Sequence, residues 1–134
     1  MYSKNSQRGV FKTIDGGKTW QKTLYIDDNT GVIDVDIDSQ DFNIQFASSW
    51  TRDRSSWNFN GNGKKSGIYK SIDGGENWIL ITTKESGFPV NDGNGRIGVS
   101  VYDKNLIYAI VDNQSRRPIL NPLEEKEKGI NKNI

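Results

Sequence analysis

Apolar and polar positions alternate along most of the chain between residues 9 and 113. From Val32 to Asp38, for example, every second residue is aliphatic, and the residues between them include three aspartates. A period of two is typical of β-strands, because successive side chains of a strand point to opposite faces of the sheet. The pattern predicts strands over residues 9–14, 18–25, 32–38, 42–50, 67–72, 77–82, 96–102 and 105–111.

One stretch of this pattern occurs twice. Residues 9–20 read GVFKTIDGGKTW and residues 67–78 read GIYKSIDGGENW, and seven of the twelve positions are identical. The two copies, called repeat 1 and repeat 2 below, lie 58 residues apart, measured from Asp15 to Asp73. Self-similarity at a fixed spacing indicates a repeated structural unit.

Each repeat has the sequence of a β-hairpin. Asp-Gly favours a tight turn, since glycine adopts positive φ without steric cost. Asp15 and Asp73 can accept hydrogen bonds from the backbone N–H groups ahead of them, which would hold the turn in place. We expect Trp20 and Trp78 one or two residues inside the second strand, where each is large enough to cap a small core.

The repeats resemble the Asp-box, or BNR repeat, of sialidase-type β-propellers, whose pattern is Ser/Thr-x-Asp-x-Gly-x-Thr-Trp. The matching positions are Thr13, Asp15, Gly17, Thr19 and Trp20 in repeat 1, and Ser71, Asp73, Gly75 and Trp78 in repeat 2. Asn77 stands in place of the threonine in repeat 2. In that family the box is a folding element of a hairpin away from the catalytic face. The resemblance therefore implies a structural role for these residues.

The chain is also similar to bacterial proteins related to the amino-terminal propeller of sortilin. This resemblance covers residues 8–113 and rests on both hairpins, on residues 25–32, on residues 52–59 and on residues 95–98. It implies an extracellular or periplasmic location, although the polar residues 1–8 do not have the apolar core of a secretory signal.

The predicted architecture follows from the spacing of the strands. Four strands in about 60 residues are the content of one propeller blade. We therefore expect an all-β fold, a partial propeller of four-stranded antiparallel blades over residues 9–113, with half a blade, one full blade and another half. Residues 1–8 are predicted as a lead-in and residues 114–134 as a charged linker or tail, with a short helix over 122–128. Because a propeller closes with roughly four to eight blades, we expect the chain to be part of a larger propeller or to assemble with copies of itself.

Composition narrows the range of functions. The chain has 18 basic and 17 acidic residues, so no attraction to nucleic acid or to an anionic membrane is expected. It has no cysteine and no histidine, which excludes disulfides, thiolate sites and histidine-dependent catalysis within the chain. No apolar run is long enough to insert into a membrane as a spanning helix, and no cofactor is expected.

The best candidates for ligand binding lie in a polar stretch over residues 51–66, which we expect to be a loop. The candidate binding residues are Arg52, Arg54, Trp57 and Phe59. Aromatic rings stack on sugars or clamp peptides, and arginines pair with carboxylates, so these residues predict a site for a protein, peptide or glycan. The alternative is a connecting loop that packs its aromatic residues on a neighbouring blade, with Arg52, Asp53 and Arg54 in surface ion pairs.

A second cluster of chemical interest consists of Asp34, Asp36 and Asp38. On a strand their carboxylates line one face at steps of roughly 7 Å. We expect a solvated polar face. The alternative is a calcium site, although Ser39 and Gln45 stand where an EF-hand loop needs glycine and glutamate.

Two functions fit these predictions. The first is a non-catalytic propeller segment of a larger secreted or surface protein, which binds protein, peptide or glycan. The second is a segment of a propeller glycoside hydrolase, of the sialidase or xyloglucanase type, with most catalytic residues outside this chain. No sequence pattern brings Arg52, Arg54 and Arg96 together as a sialidase requires. Only Glu76 and Glu85 precede residue 120, so no complete glycosidase site is expected.

Overall fold

The computed structural model describes residues 4–115, and these residues form ten β-strands. The strands are β1 (Val10–Lys12), β2 (Gln21–Leu24), β3 (Thr30–Ile37), β4 (Gln45–Thr51), β5 (Asp53–Arg54), β6 (Phe59–Asn60), β7 (Ile68–Ser71), β8 (Ile79–Leu80), β9 (Asn94–Val101) and β10 (Ile107–Asn113). A single turn of 3-10 helix, Lys84–Ser86, precedes β9. The predicted tail over 114–134, with its helix at 122–128, lies outside the described residues except for Gln114 and Ser115.

All strand pairs are antiparallel, and the fold is all-β, as the sequence predicted. Strands β3, β4, β7 and β8 form one four-stranded sheet in that order. Strand β1 pairs with β2, β5 with β6, and β9 with β10, and none of these sheets is closed. Within residues 4–115, no helix has the length and apolar character needed to cross a membrane.

The second strands of the two repeat hairpins are shorter than predicted. Strand β2 begins at Gln21 and β8 begins at Ile79, whereas the pattern predicted strands from residues 18 and 77. Trp20 and Trp78 therefore lie just before these strands rather than inside them. The physical reason is that the backbone N–H groups ahead of each tryptophan donate to the turn aspartate instead of to a neighbouring strand.

Residues 51–66 are not a single loop, which corrects the prediction. Strands β5 and β6 pair Asp53 with Asn60 and Arg54 with Phe59, forming a small hairpin. Only two residues of each strand are involved, so no period of two was detectable in the sequence. The indole N–H of Trp50 donates to the carbonyl of Gly61 at 2.5 Å and attaches the hairpin to the end of β4.

The hydrophobic core lies between the four-stranded sheet and the β9–β10 sheet. Ile44, Phe46, Ile68 and Ile97 form one buried cluster, and Ile97 on β9 is 0% exposed. Across the same boundary, the hydroxyl of Ser48 donates to the carbonyl of Ile97 at 2.6 Å. Strand β9 therefore packs on β3 and β4, and the buried Ser48–Ile97 hydrogen bond fixes its position relative to β4.

The aspartates of β3 also join these two sheets, so the prediction of a solvated face is wrong. Asp34 Oδ2 accepts a hydrogen bond from the N–H of Val99 at 3.2 Å, and Asp36 Oδ2 accepts one from Val101 at 2.7 Å. These N–H groups of β9 point away from β10, and the short carboxylate side chains supply their acceptors. The acidic side of β3 is thus the side that packs.

Asp38, just after β3, and the aliphatic residues of the strand agree with that orientation. Asp38 is 2% exposed, and its Oδ1 accepts a hydrogen bond from the N–H of Gln40 at 2.9 Å. Val35 and Ile37 on the other face are 43% and 42% exposed, so the aliphatic side is the more open one. Within residues 4–115, no group of three acidic side chains is arranged to hold a metal ion, and the calcium alternative gains no support.

Candidate functional site

The two repeats form the same hydrogen-bonded turn. In repeat 1, Asp15 Oδ1 accepts from the N–H groups of Lys18 and Thr19, both at 2.9 Å, and Oδ2 accepts from the Thr19 hydroxyl at 2.6 Å. In repeat 2, Asp73 Oδ1 accepts from the N–H of Asn77 at 2.9 Å, and Oδ2 accepts from its side-chain amide at 2.7 Å. The amide of Asn77 thus takes the place of the Thr19 hydroxyl.

The other matching positions of the repeats complete this turn. Thr13 Oγ1 accepts from the N–H of Gly17 at 2.9 Å, and Ser71 Oγ accepts from Gly75 at the same distance. These two glycines have φ of 93° and 82°, a conformation that L side chains rarely adopt. In both repeats the indole N–H of the tryptophan donates to the carbonyl of the same glycine at 3.1 Å.

These hydrogen bonds stabilise the ionised form of both aspartates. The hydroxyl of Thr19, followed by its N–H, lowers the pKa of Asp15 to about 2. The N–H and then the side-chain amide of Asn77 lower the pKa of Asp73 to about 2. Carboxylates with such acidic pKa values are unsuited to general acid catalysis near neutral pH, and their oxygens are engaged within their own turns.

The four candidate binding residues divide into two adjoining groups. The guanidinium carbon of Arg52 lies 5.1 Å from the ring centre of Trp50 and 5.6 Å from that of Phe59. These two rings meet edge to face, with centres 6.3 Å apart. Arg54 lies 6.0 Å from the Phe59 ring, on the side of the β5–β6 tip. Trp57 lies at that tip, is 87% exposed, and lines a separate hollow together with Arg54.

A cleft of about 360 Å³ opens beside Arg52. Its walls include Arg8, Phe11, Gly31, Val32, Trp50 and Arg52. The cleft therefore combines aromatic and aliphatic walls with two guanidinium groups, a composition suited to a ligand that has an apolar body and a negative charge.

Arg8 connects the chain segments around this cleft. Its Nη1 donates to the carbonyl of Asn29 at 2.5 Å and to that of Arg52 at 3.4 Å. The N–H of Arg52 donates to the same Asn29 carbonyl at 3.0 Å, and the N–H of Asn5 donates to Asp28 at 3.0 Å. Two residues of the predicted lead-in thus hydrogen-bond to the folded unit.

Arg52 has no carboxylate partner among the residues that the structure describes. The predicted alternative of an ion pair between Arg52 and Asp53 is wrong, because the two side chains form no such pair and Asp53 is exposed on β5. The Nε of Arg52 is buried and has no hydrogen-bond acceptor. A buried, unsatisfied donor of a charged group is costly.

The residues that a glycosidase would use are placed differently. Glu76 forms an ion pair with Lys12, at 2.6 Å between Nζ and Oε1. Hydrogen bonds from its own N–H and from the Thr83 hydroxyl lower the pKa of Glu85, whereas a general acid of this class needs a raised pKa. Arg96 is exposed on β9 and is not among the residues that line the Arg52 cleft.

Sequence reasoning did not single out Trp50, Arg8 or Phe11. Trp50 stands two residues before Arg52, and residues at i and i+2 of an extended chain share a face, so this spacing could have indicated the contact. Arg8, from the lead-in, and Phe11, from repeat 1, reach the cleft through packing of distant chain segments. No local pattern in the sequence reports that contact.

Comparison of the chain with protein-family models, curated proteins and solved structures gives no match. The structure itself defines the class: an all-β protein with two aspartate-held hairpin turns and a cleft of arginine and aromatic side chains.

Proposed function

We propose that the chain is a non-catalytic segment of a β-propeller that binds a carboxylate-bearing peptide or glycan in the Arg52 cleft. The sheet β3–β4–β7–β8 has the strand order of a full blade, and the β1–β2 and β9–β10 sheets correspond to two half blades. The shared turn geometry of repeats 1 and 2 supports their assignment as Asp-boxes with a structural role.

One observation supports ligand binding above all. The guanidinium of Arg52 packs against two aromatic rings that contact each other, has a buried Nε without an acceptor, and faces no carboxylate among residues 4–115. A structural arginine of this kind normally pairs with an internal acid or with backbone carbonyls. Here the rings hold the guanidinium in position, and its charge has no carboxylate partner among residues 4–115.

The chemistry of the walls selects the class of ligand. A planar guanidinium binds a carboxylate through two parallel hydrogen bonds, which a lysine cannot reproduce. The rings of Trp50 and Phe11 offer flat apolar surfaces for a sugar ring or for the side chain of a terminal residue. The ligand is therefore expected to be an acidic sugar or a peptide with a free carboxylate.

The test is calorimetric titration with matched pairs of ligands. Each acidic sugar is compared with its methyl ester, and each peptide with a free carboxyl terminus is compared with its amide. We expect the acid of at least one pair to bind more tightly than its neutral analogue. The substitution Arg52→Lys should weaken that binding by about 10- to 100-fold, the value of a charge-assisted hydrogen bond.

The matched control is Arg96→Lys, which makes the same chemical change on exposed β9. This variant should bind with wild-type affinity. Equal binding of acids and neutral analogues throughout the panel, or wild-type affinity of Arg52→Lys, would refute the proposed site. Circular dichroism of both variants checks that each remains folded.

A further inference from the structure

The β9–β10 sheet repeats the first two strands of the four-stranded sheet. The turn between β3 and β4 is closed by the N–H of Asp38 donating to Ile44 at 3.0 Å. The turn between β9 and β10 is closed by the N–H of Tyr102 donating to Leu106, also at 3.0 Å. Strand β10 therefore corresponds to β4, with Leu106 in the place of Ile44.

The two corresponding strands differ in what covers their second edge. Strand β4 pairs with β3 on one side and with β7 on the other, whereas β10 pairs only with β9 among the described residues. Phe46 and Ser48 on β4 are 2% and 0% exposed. Phe46 and Ser48 are covered because β9 packs on that face of β4, so the exposure of their counterparts on β10, Tyr108 at 62% and Ile110 at 81%, reports an uncovered face of β10 and not its edge.

The open edge of β10 presents unpaired backbone groups. Hydrogen-bonded and non-bonded positions alternate along an antiparallel pair, so the Tyr102–Leu106 bond determines which groups face β9. By this alternation, the N–H groups of Ile107, Ala109 and Val111 point to the open edge. In β4 the equivalent N–H groups face β7. The N–H of Ser49, for example, donates to the carbonyl of Gly67, just before β7, at 2.8 Å.

Strand β1 is the complement of this edge. It belongs to repeat 1 as β7 belongs to repeat 2. Phe11 and Lys12 pair with β2 in the register in which Tyr69 and Lys70 pair with β8, and the register of β1 shifts at Val10. Strand β7 has β4 as its second neighbour, but β1 has no second neighbour among the described residues. The chain thus presents one open edge of the β4 type and one of the β7 type.

We propose that the open edge of β10 pairs with β1 of a second copy of the chain, in the register that β4 and β7 show. The β4–β7 register pairs Gln45 with Ser71, Phe46 with Lys70, Ala47 with Tyr69 and Ser48 with Ile68. The corresponding contacts are Ile107 with Thr13, Tyr108 with Lys12, Ala109 with Phe11 and Ile110 with Val10. The product is a four-stranded sheet, β9–β10–β1–β2, with its last two strands from the second copy.

The turn of the repeat supplies an additional matching contact. Within the chain, the N–H of Gly74 in repeat 2 donates to the carbonyl of Asn43, just before β4, at 3.0 Å. The equivalent residues are Gly16 in repeat 1 and Asn105, which is again asparagine and stands just before β10. The second copy can therefore repeat both the strand pairing and the contact of the turn.

Because the two edges differ, the contact is head-to-tail. Each copy supplies one complete four-stranded sheet and the two halves of another, so a ring with four to eight sheets contains about two to four copies. This inference rests on the blade arrangement of the proposed function but not on its ligand site. Titration at concentrations below association therefore tests the ligand site separately.

The test is light scattering behind size exclusion on a dilution series of the wild-type chain. Ala109→Pro removes an N–H on the open edge, where proline is tolerated, and Ala109→Val retains that N–H as the matched control. We expect the wild type and Ala109→Val to associate as concentration rises, and Ala109→Pro to remain monomeric. A wild type that is monomeric throughout, or association that Ala109→Pro leaves unchanged, would overturn the proposal.

Hydrogen exchange of the wild type tests the same pairing without a variant. The amides of Ala109 and Phe11 should become protected together, at least tenfold, as concentration rises into the range of association. Protection of β10 without β1 would mean a different interface. Protection of β10 that does not change with concentration would mean that residues of the same chain cover the edge. Either of these results would overturn the proposal even if Ala109→Pro failed to fold.

Discussion

The contact between Asp36 and β9 should make a measurable contribution to stability. Its Oδ2 accepts the N–H of Val101 at 2.7 Å in a partly buried position, on the side of β9 that β10 does not reach. The substitution Asp36→Ala leaves this donor without its acceptor. An unsatisfied buried donor costs about 1–3 kcal/mol, and partial exposure places the expected loss at about 1–2 kcal/mol.

Two further variants provide the matched comparison. Asp36→Asn retains an oxygen acceptor of the same length, so it should lose less stability than Asp36→Ala. Asp34→Ala removes a longer contact, 3.2 Å to the N–H of Val99, and should also have a smaller effect. The expected order of stability is therefore wild type, then Asp36→Asn, then Asp36→Ala.

Urea unfolding at neutral pH, with the protein dilute, measures these differences. With an m-value of about 1–3 kcal/mol/M, a loss of about 1.5 kcal/mol lowers the urea midpoint by about 0.5–1.5 M. Each curve is recorded with chelator and again with added calcium. An unchanged midpoint in Asp36→Ala would refute the hydrogen-bond argument. A midpoint that calcium raises in the wild type but not in this variant would show that the carboxylates hold an ion.

Two further predictions concern the turns and the core. The pKa of Asp73 is lowered from 3.8 to about 2 in the folded protein, so its stabilising effect is complete above pH 3.8 and is lost as pH falls through about 2. The difference in urea midpoint between wild type and Asp73→Asn should therefore narrow as pH falls from 3.8 to about 2. A difference that stays constant would contradict the lowered pKa of Asp73. Ile97 is 0% exposed in the core between the sheets, so Ile97→Ala should lower the free energy of unfolding by about 2–5 kcal/mol, measured in the same way. A loss close to zero would mean that the β9–β10 sheet does not pack there in solution.

The parts of the fold that sequence predicted well are those that short-range interactions determine. The turn aspartates act on N–H groups three and four residues ahead, so repeats 1 and 2 contain all the partners their turns require. The long strands β3, β4, β9 and β10 were predicted because each spans enough residues for a period of two to be evident. The β5–β6 hairpin was missed because each of its strands has only two residues, too few for a period of two to be evident.

The site was only partly predictable. Arg52 and Phe59 were identified from their residue types, and both contact Trp50 in the folded chain. Trp57 was placed in the same group but lies at the exposed tip of the hairpin. Residue type indicates what a side chain can bind, but the pairing of β5 with β6 determines which of these side chains meet.

By itself, then, the sequence determined that the chain is all-β, where its long strands lie, and that one hairpin occurs twice. Only the tertiary structure decided which side of β3 is covered. Alternation distinguishes two faces of a strand without saying which one a neighbouring sheet will contact, and β9 lies about 65 residues away along the chain. The same holds for the Arg52 cleft, where Arg8 arrives from 44 residues away. Short-range interactions along the chain determine its strands and turns. The packing of distant sheets determines which polar groups join the sheets and which line a cleft.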